Sequence, residues 1–453
     1  MSMGSERPSD GPAPPLVVIG GGLAGSEAAW QAAQRGCSVR LYEMKPGQRS
    51  EAHVTDDFAE LVCSNSFRGA SLGNAVGLLK EEMRRMGSLV LRAADATAVP
   101  AGRALAVDRH AFSAHIRDAL ESHRGIEIVR ERVDSIPSDP VVVLATGPLT
   151  ESRLASEVQA LLGEAALYFY DAIAPTIYAD SIDTDTVFRA SRYEEGEGDY
   201  LNVPLDREAY RAFVDALLRA ETVPLHDCEA ALYFEGCLPV EEMARRGPET
   251  LAHGPMKPVG LVDPRTGSRS YAVVQLRQEN KEGTLYNLVG FQTKLRTGEQ
   301  RRIFSALPGL SNAVFARYGS VHRNTYIDAP QHLTSTLEVR ERPGLYIAGQ
   351  MAGVEGYVES SALGFVVGVN AAFAARGETA PGVPPETAHG ALLRHLAPGG
   401  RSDFQPSNVN YGLFSPFRDA PRKLRRREKV ERLADRALAA LPEWSERIGG
   451  LGT

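Results

Sequence analysis

Three glycines near the start of the chain have the spacing of a phosphate-binding turn. Gly20, Gly22 and Gly25 form the pattern G-x-G-x-x-G directly after the apolar run from Leu16 to Ile19. In such a turn the first glycine permits a tight bend, the second lets a pyrophosphate approach the backbone, and the third lets helix and strand pack closely. The helix that follows directs free N–H groups at the phosphates. The residues expected to bind a dinucleotide here are Gly20, Gly21, Gly22, Leu23, Ala24 and Gly25.

An acidic residue stands where a dinucleotide site needs one. Glu43 ends a second predicted strand, Cys37 to Tyr42, and its carboxylate can accept hydrogen bonds from a ribose diol. The alternative is an ordinary turn between a strand and a helix. The strand before the glycines, the helix after them and the spacing to the acid all favour the dinucleotide site.

Two cysteines have surroundings that suit a nucleophile or a base. Cys237 follows Gly236 and precedes Pro239, which predicts a turn before a helical run that begins near Val240. A thiol near a helix N-terminus can have a lowered pKa, which favours the nucleophilic thiolate. Cys63 lies among small polar residues in a predicted loop. The alternative for both is a buried residue that acts only as a small hydrophobic side chain.

The other two cysteines point to no chemistry. Cys37 is expected in the core of its strand, and Cys228 has no second pair of ligands that would complete a metal site, so we predict no metal. The absence of a C-x-x-C motif argues against a disulfide reductase. Free thiols are typical of the cytoplasm, which is the expected location.

A basic segment lies near the C-terminus. Seven of the eleven residues from Arg422 to Arg432 are Lys or Arg. Such a run is often only a solvated helix face. Binding of nucleic acid would require the charges to share a face with aromatic residues, for which Tyr411, Phe414 and Phe417 are candidates.

The composition is that of a folded protein large enough for more than one structural unit. The chain has 453 residues, 43% hydrophobic and 24% charged, with a net charge of -7. This charge argues against a surface that binds polyanions everywhere, but it leaves room for a local basic patch. No apolar run approaches the roughly 20 residues that span a bilayer, so no membrane partner is expected.

Two later apolar runs predict strands of the same sheet. Pro140–Gly147 and Gly344–Gly349 both read as buried parallel strands that end in glycine, where ligands collect. Between them, from about Tyr170 to Gly319, short alternating strands predict an insertion. We therefore predict an α/β fold with a Rossmann-like FAD-binding domain of the glutathione-reductase type and a mixed α/β insertion domain.

The choice of FAD over NAD depends on the second of these strands. In FAD proteins of that type a late strand ends beside the flavin, and the following helix directs its dipole at the ring; Ala348–Gln350 and the helix within Gly353–Ala375 look like this element. The usual acidic residue is replaced by Gln350. The residues expected near the flavin are Gly349, Gln350, Glu355, Gly356 and Tyr357.

The expected domain boundaries follow from these changes in pattern. They are a disordered tail (1–14), the first part of the FAD-binding domain (15–170), the insertion domain (171–319), the second part with the basic helix (320–441) and a C-terminal tail (442–453).

Long motifs throughout the chain resemble those of one family, the folate- and FAD-dependent tRNA (uracil-5-)-methyltransferases called TrmFO, which are related to the GidA proteins. The motifs are GGGLAGSEAAW, LVCSNSFRG, ALAVDR, YFEGCLPVEEMARRGPETL, GPMKPVGL, YNLVGFQT, RYGSVHRNTY and GVEGYVESSALG. The resemblance implies that NADPH or NADH reduces FAD, that methylenetetrahydrofolate supplies a one-carbon unit, and that the acceptor is C5 of the T-loop uridine at position 54 of tRNA.

The resemblance also implies roles for the cysteines. A thiolate must add to C6 of the uracil before C5 can attack a methylene carbon, and a second group must remove the C5 proton. Cys237 is the expected nucleophile and Cys63 the expected base, although the reverse assignment remains open. The uridine must leave its stack to react. Residues expected to contact substrates are Lys257, His322, Arg323, Asn324, Arg425 and Arg426.

Three other functions compete with this one. They are modification of the wobble uridine as in GidA-type enzymes, a flavin oxidoreductase for a small molecule, and a tRNA-binding module in which the flavin is only structural. The chain is expected to act as a monomer.

Overall fold

The computed structural model describes residues 14–150, 152–163, 167–194, 196–224, 238–397, 404–417 and 425–450. Its strands are β1 (Leu16–Ile19), β2 (Val39–Tyr42), β3 (Ser66–Gly69), β4 (Ala98–Val99), β5 (Ala104–Val107), β6 (Ile126–Val129), β7 (Val142–Leu144), β8 (Leu167–Ala172), β9 (Thr176–Tyr178), β10 (Phe188–Arg189), β11 (Tyr200–Leu205), β12 (Ala272–Gln278), β13 (Leu285–Leu288), β14 (Phe315–Arg317), β15 (Val321–Tyr326) and β16 (Leu345–Ile347). Its α-helices are α1 (Leu23–Gln34), α2 (Ala75–Arg85), α3 (Leu89–Ala96), α4 (Arg109–Ser122), α5 (Ser152–Leu162), α6 (Arg207–Arg219), α7 (Val240–Arg245), α8 (Thr250–His253), α9 (Thr297–Phe304), α10 (Ala329–His332), α11 (Tyr357–Ala375), α12 (Ala388–His395) and α13 (Arg426–Arg447).

A parallel sheet organises the first part of the chain and the end of it. Its strand order is β16-β7-β1-β2-β6, with β1 in the centre. Val18 lies opposite Leu41 on one side and Val143 on the other. All four residues of β1 are buried, as expected for a central parallel strand covered on both faces. Because the strands are parallel, their carboxyl ends meet at one edge.

Helices α1 and α11 pack against each other unusually closely. A Cβ at Gly364 would lie 2.3 Å from the carbonyl oxygen of Ala24, and one at Gly368 would lie 2.5 Å from that of Ala28. Only glycine fits at these two positions. Helix α11 is long and apolar enough to cross a membrane by composition alone, but 78% of its most apolar window is buried inside the protein. It is therefore a core helix, and it brings its N-terminus to the carboxyl edge of the parallel sheet.

A second sheet has its own core. It is antiparallel, with the order β10-β11-β12-β13-β9-β14. The aromatic rings of Phe213, Phe291 and Phe304 pack together beneath it, in a cluster separate from the core of the parallel sheet. Strands β8 and β15 form a separate antiparallel pair. In the chain, β8 precedes the first strand of the second sheet and β15 follows its last strand.

Two sequence-based boundaries require correction. Helix α13 continues to Arg447, beyond the expected end at residue 441, because Trp444 and Ile448 are buried against the rest of the protein. Strand β2 begins at Val39, so Cys37 precedes it and is only partly buried. The left-handed backbone of Gly36, with φ of 83°, reverses the chain at this point and delays the strand.

Candidate functional site

A cleft lies at the carboxyl edge of the parallel sheet. The residues that follow the strands line it: Gly20 after β1, Glu43 after β2, Thr146 after β7 and Gly349 after β16. These residues are far apart in sequence and meet only because the strands are parallel and adjacent. The sheet edge is where ligands bind in open α/β folds.

The glycines of the first turn have distinct tasks. Gly20 has φ of 102°, and a Cβ there would lie 2.5 Å from the carbonyl oxygen of Ala145. A Cβ at Gly25 would lie 1.8 Å from the carbonyl oxygen of Gly20. At Gly22, in contrast, a Cβ would meet nothing within 4 Å. Gly20 and Gly25 therefore allow the chain to pack, while Gly22 leaves an open cradle at the start of α1.

Glu43 is fixed at the next strand end. Its buried carboxylate accepts the backbone N–H of Gly21 at 2.8 Å and that of Lys45 at 2.9 Å, one on each oxygen. Each oxygen keeps a lone pair that can accept a hydroxyl, as a ribose diol requires. Burial lowers the pKa of the Lys45 ammonium, which lies 3.8 Å from the carboxylate of Glu60 and also lines the cleft.

The far end of the cleft is formed by the start of α11. Gly349, Gln350, Tyr357 and Ser360 line it. The helix begins after Gly356, which offers no side-chain cap, so its first N–H groups remain free to meet an anionic or electron-rich ligand. The cleft thus combines an open turn at an uncapped helix N-terminus, a buried acid with lone pairs to spare and a second helix N-terminus, and these residues fit FAD.

A second cavity adjoins the cleft. It has a volume of about 280 Å³ and shares Val62, Pro148, Leu149, Gln350 and Tyr357 with the cleft. Its polar lining includes Cys63, Asp171, His322, Asn324, Glu355 and Asn408. A substrate in this cavity would therefore lie directly beside a ligand in the cleft.

Tyr357 positions Cys63. The tyrosine hydroxyl accepts the backbone N–H of Cys63 at 2.8 Å and that of Ser64 at 3.1 Å, and it donates to the Cys63 Sγ at 3.3 Å. The hydroxyl therefore donates its single proton in a hydrogen bond to the sulfur. A donor at this position stabilises the thiolate form.

Three arginines, each from a different element, donate hydrogen bonds to the loop that contains Cys63, residues 61–64. Arg109 of α4 donates to the carbonyl of Leu61, and Arg317 of β14 donates to the carbonyl of Val62 at 2.6 Å. Arg277 of β12 donates to the Ser64 hydroxyl at 2.7 Å. Sequence reasoning missed all three arginines. The available signal was the presence of Arg109 and Arg317 at the ends of the motifs ALAVDR and RYGSVHRNTY.

The cavity favours neutral side chains. Burial raises the pKa of the Cys63 thiol to about 12, and the nearby Asp171 adds to this, while the Tyr357 hydrogen bond and Arg109 oppose it. Burial, together with Asp171 and Glu359, raises the pKa of Glu355 well above its ordinary value. Gln350 donates to the Glu355 carboxyl at 2.6 Å. At neutral pH Cys63 is therefore a thiol, and the raised pKa of Glu355 favours its protonated form.

The predicted site residues fall into three groups. The cleft contains Gly20, Gly21, Gly22, Leu23, Ala24, Glu43, Gly349, Gln350 and Tyr357, with Gly25 packed behind it. The second cavity contains Cys63, Gln350, Glu355, Gly356, Tyr357, His322 and Asn324. The exposed Lys257 lines neither, and nor do Arg425 and Arg426 at the start of α13.

Three predicted residues lie outside what the structure describes. Cys228 and Cys237 fall between 224 and 238, and the side chain of Arg323 is also outside. The chain just after Cys237 is described. The N–H of Val240 donates to the carbonyl of Gln292 at 2.7 Å, and Gln292 lines the second cavity.

Comparison with known proteins identifies the family. The family model described as Glucose inhibited division protein A matches residues 15–379. A protein of Desulforudis audaxviator is 57% identical over 434 residues, which cover 96% of this chain and 99% of the relative. Its name is methylenetetrahydrofolate--tRNA-(uracil-5-)-methyltransferase TrmFO. The chain belongs to the TrmFO family, within the wider glucose inhibited division protein A family.

Other TrmFO relatives are equally similar. One from Geobacter sulfurreducens is 57% identical over 430 residues, covering 95% of this chain and 98% of the relative. Among solved structures, GidA of Aquifex aeolicus aligns with a TM-score of 0.71 and 18% identity, over 96% of this chain and 74% of that one. The likeness to GidA concerns the fold alone. It agrees with the predicted Rossmann-like domain and its parallel sheet.

Proposed function

We propose that the chain methylates C5 of a T-loop uridine in tRNA, with methylenetetrahydrofolate as the one-carbon donor. The observation that carries the proposal is the position of Cys63 in a cavity that shares five lining residues with the cleft at the sheet edge. The TrmFO relatives bear the name of this reaction and match nearly the whole chain. Neither a cavity with a positioned cysteine nor these relatives would be expected of a flavoprotein in which the flavin is only structural.

FAD is the proposed cofactor of the cleft. Gly22 and the start of α1 would hold its pyrophosphate, Glu43 its adenosine ribose, and the start of α11 its ring. Reduced FAD, when bound, supplies the electron pair that converts a methylene group to a methyl group, and NADPH or NADH is proposed to reduce it. The protein's contribution is to place the uridine and the folate beside that ring.

The cysteines divide the remaining chemistry. The thiolate of Cys237 adds to C6 of the uracil, and the resulting enolate attacks the methylene carbon through C5. Cys63, whose own proton must first leave to solvent, then accepts the C5 proton as its thiolate. Loss of that proton lets the bond between the methylene carbon and the folate nitrogen break, and once the methylene carbon has received the electron pair the Cys237–C6 bond breaks. The Tyr357 hydrogen bond and Arg109 favour the thiolate that this step requires, whereas burial opposes it, so Cys63 must lose its proton when the substrates bind.

Polar groups of the second cavity suit the two substrates. Asn324 and His322 can hydrogen-bond a pterin or a uracil edge, and Glu355, whose raised pKa favours its protonated form, can donate a proton to a leaving nitrogen. Burial lowers the pKa of His322, so its ring is neutral and can both donate and accept. Lys257 and Arg323 remain proposed contacts for anionic groups.

The domain organisation is part of the proposal. Residues 15–170 and 320–441 are proposed to form the FAD-binding domain, and residues 171–319 the inserted domain. The two separate hydrophobic cores support this division. A monomer in the cytoplasm, where tRNA is modified and thiols stay reduced, is the proposed state.

The test is a complete reaction with defined products. Purified protein would be incubated with unmodified tRNA, methylenetetrahydrofolate and NADPH, and the nucleosides analysed by mass spectrometry after site-specific digestion. We expect 5-methyluridine in the T loop. Modification at the wobble uridine would favour the GidA-type alternative. Oxidation of NADPH without any modified tRNA would favour the small-molecule oxidoreductase.

A further inference from the structure

A polar groove lies beside the second cavity. It has a volume of about 660 Å³ and runs between the start of α2 and the start of α13. We call it the α2–α13 groove and define it by Asn74, Ala75, Asn410, Arg426 and Lys429, which are among its lining residues. None of these residues takes part in the chemistry described above.

The groove adjoins the Cys63 cavity. Arg68 lines both, and the chain passes from Asn408 in the cavity to Val409 in the groove. The Arg68 guanidinium is held in place by the carboxylate of Glu359 and by the Asn408 Oδ1 at 2.8 Å. Arg68 is therefore a fixed boundary that the groove and the cavity have in common.

Two of the cations that line the groove differ from their neighbours on helix α13, which form ion pairs. On the same helix, Arg427 pairs with Glu431 at 2.8 Å and Arg432 pairs with Glu428 at 2.8 Å. The exposed cations that line the groove differ from these pairs. Within the part of the chain that the structure describes, Arg426 and Lys429 have no carboxylate partner, and the groove lining contains no Asp or Glu.

The backbone adds to this positive field. Helix α2 begins at Ala75 and α13 begins at Arg426, and both residues line the groove. Neither Asn74 nor Arg425 caps its helix with a side-chain hydrogen bond. The first N–H groups of the two helices are thus available to the same anion as the two cations.

We propose that the α2–α13 groove binds the phosphodiester backbone beside the uridine that enters the Cys63 cavity. This inference rests on the proposed function and names the surface by which the tRNA is held. A flipped nucleotide stays attached to its strand, so its neighbouring phosphates must lie at an opening of the cavity. The groove provides that opening, and its cations, amides and glycines suit a sugar–phosphate chain.

The test compares two pairs of substitutions that remove the same charge from the same helix. The variant R426A/K429A removes the two charged side chains in the groove that have no carboxylate partner among the described residues. The control R427A/R432A removes two arginines that are paired with glutamates. All four side chains are on the exposed part of α13, so both variants are expected to fold. Binding of a full-length tRNA transcript to the FAD-loaded protein would be measured over a range of salt concentrations.

We expect R426A/K429A to bind tRNA roughly 10-fold more weakly at low salt, and the slope of log Kd against log salt to become shallower by about 1 to 2. The FAD content and the KM for methylenetetrahydrofolate should not change. R427A/R432A should remain within about 2-fold of the unaltered protein, because neither arginine lines the groove.

Three results would overturn the inference. Equal weakening in the two variants would indicate a general effect of charge. An unchanged Kd for tRNA would show that the groove does not hold it. A raised KM for methylenetetrahydrofolate with normal tRNA binding would assign the groove to the folate's carboxylate tail. Failure of the unaltered protein to form 5-methyluridine would instead count against the proposed function, since tRNA binding is measured separately.

Discussion

Tyr357 and Cys63 contact each other at two points although 294 residues separate them: the tyrosine hydroxyl accepts the cysteine's N–H at 2.8 Å and donates to its Sγ at 3.3 Å. Tyr357 is also the first residue of α11, and it lines both the cleft and the adjoining cavity. One side chain therefore fixes the thiol relative to the place where FAD is proposed to bind.

Removal of this hydroxyl should slow methylation while leaving the cofactor bound. In Tyr357→Phe the two backbone N–H groups and the sulfur lose their partner, and a loss of about 1–3 kcal/mol predicts a rate lower by roughly 5- to 150-fold. The measurement is single-turnover formation of 5-methyluridine, with FAD content followed by absorbance. Tyr178→Phe, at an exposed position, is the control and should have no effect. A normal rate in Tyr357→Phe would show that the hydroxyl does not position the thiol.

The reactivity of Cys63 should depend on pH in a particular way. Its pKa is raised from an ordinary value of about 8.5 to about 12, so the thiol stays protonated through neutral and mildly alkaline pH. Alkylation of Cys63 in the protein without substrates should increase about 10-fold per pH unit from pH 7 to 10, with no plateau. Peptide mass spectrometry after brief exposure to iodoacetamide measures it, with free cysteine as the reference.

The raised pKa of Cys63 also makes the free energy of unfolding depend on pH. A thiol that is neutral in the folded protein contributes stability below its unfolded pKa, and that contribution is lost as the pH rises toward about 12. Cys63→Ser should reduce this alkaline loss. A midpoint of alkylation at or below pH 8.5 would contradict the buried environment assigned to the Cys63 thiol.

Two glycines of the first turn should separate folding from cofactor binding. Gly25→Ala places a Cβ 1.8 Å from the carbonyl oxygen of Gly20 and should destabilise the domain by more than about 2 kcal/mol. Gly22→Ala meets no protein atom within 4 Å, so the protein should keep its melting temperature. The new methyl group nevertheless occupies the phosphate cradle, and FAD affinity should fall at least about 10-fold.

Thermal melting and FAD titration of the two variants give the comparison. Gly382→Ala is the matched control, because its Cβ also meets nothing within 4 Å and it lies in an exposed loop far from the cleft in sequence. If Gly22→Ala bound FAD normally, the pyrophosphate would have to lie elsewhere.

The fingerprint could be predicted from sequence because its parts lie close together in the chain. Gly20, Gly22 and Gly25 act through one turn, and Glu43 lies at the end of the next strand, so strand and helix patterns were enough. The environment of Cys63 could not be predicted in this way. It depends on Tyr357, Arg109, Arg277 and Arg317, which come from four separate elements and meet only in the folded protein.

The end of α13 shows a related limit. Its sequence is polar, and the expected boundary lay at residue 441. The helix continues because Trp444 packs against Phe365 of α11, with ring centroids 6.2 Å apart. Pro442 lies inside the helix all the same. A tertiary contact thus overrides a local signal, and this contact cannot be predicted from the α13 sequence alone.

The most direct test of the assigned chemistry uses a tRNA that contains 5-fluorouridine in the T loop. Fluorine at C5 cannot be removed as a proton, so the adduct that precedes the step assigned to Cys63 should accumulate as a covalent protein–RNA complex in the presence of methylenetetrahydrofolate and NADPH. The account predicts that digestion and mass spectrometry will find the nucleotide on the peptide that contains Cys237, in the unaltered protein and in Cys63→Ala alike. A nucleotide attached to Cys63, or no covalent complex under conditions in which ordinary tRNA is methylated, would contradict it.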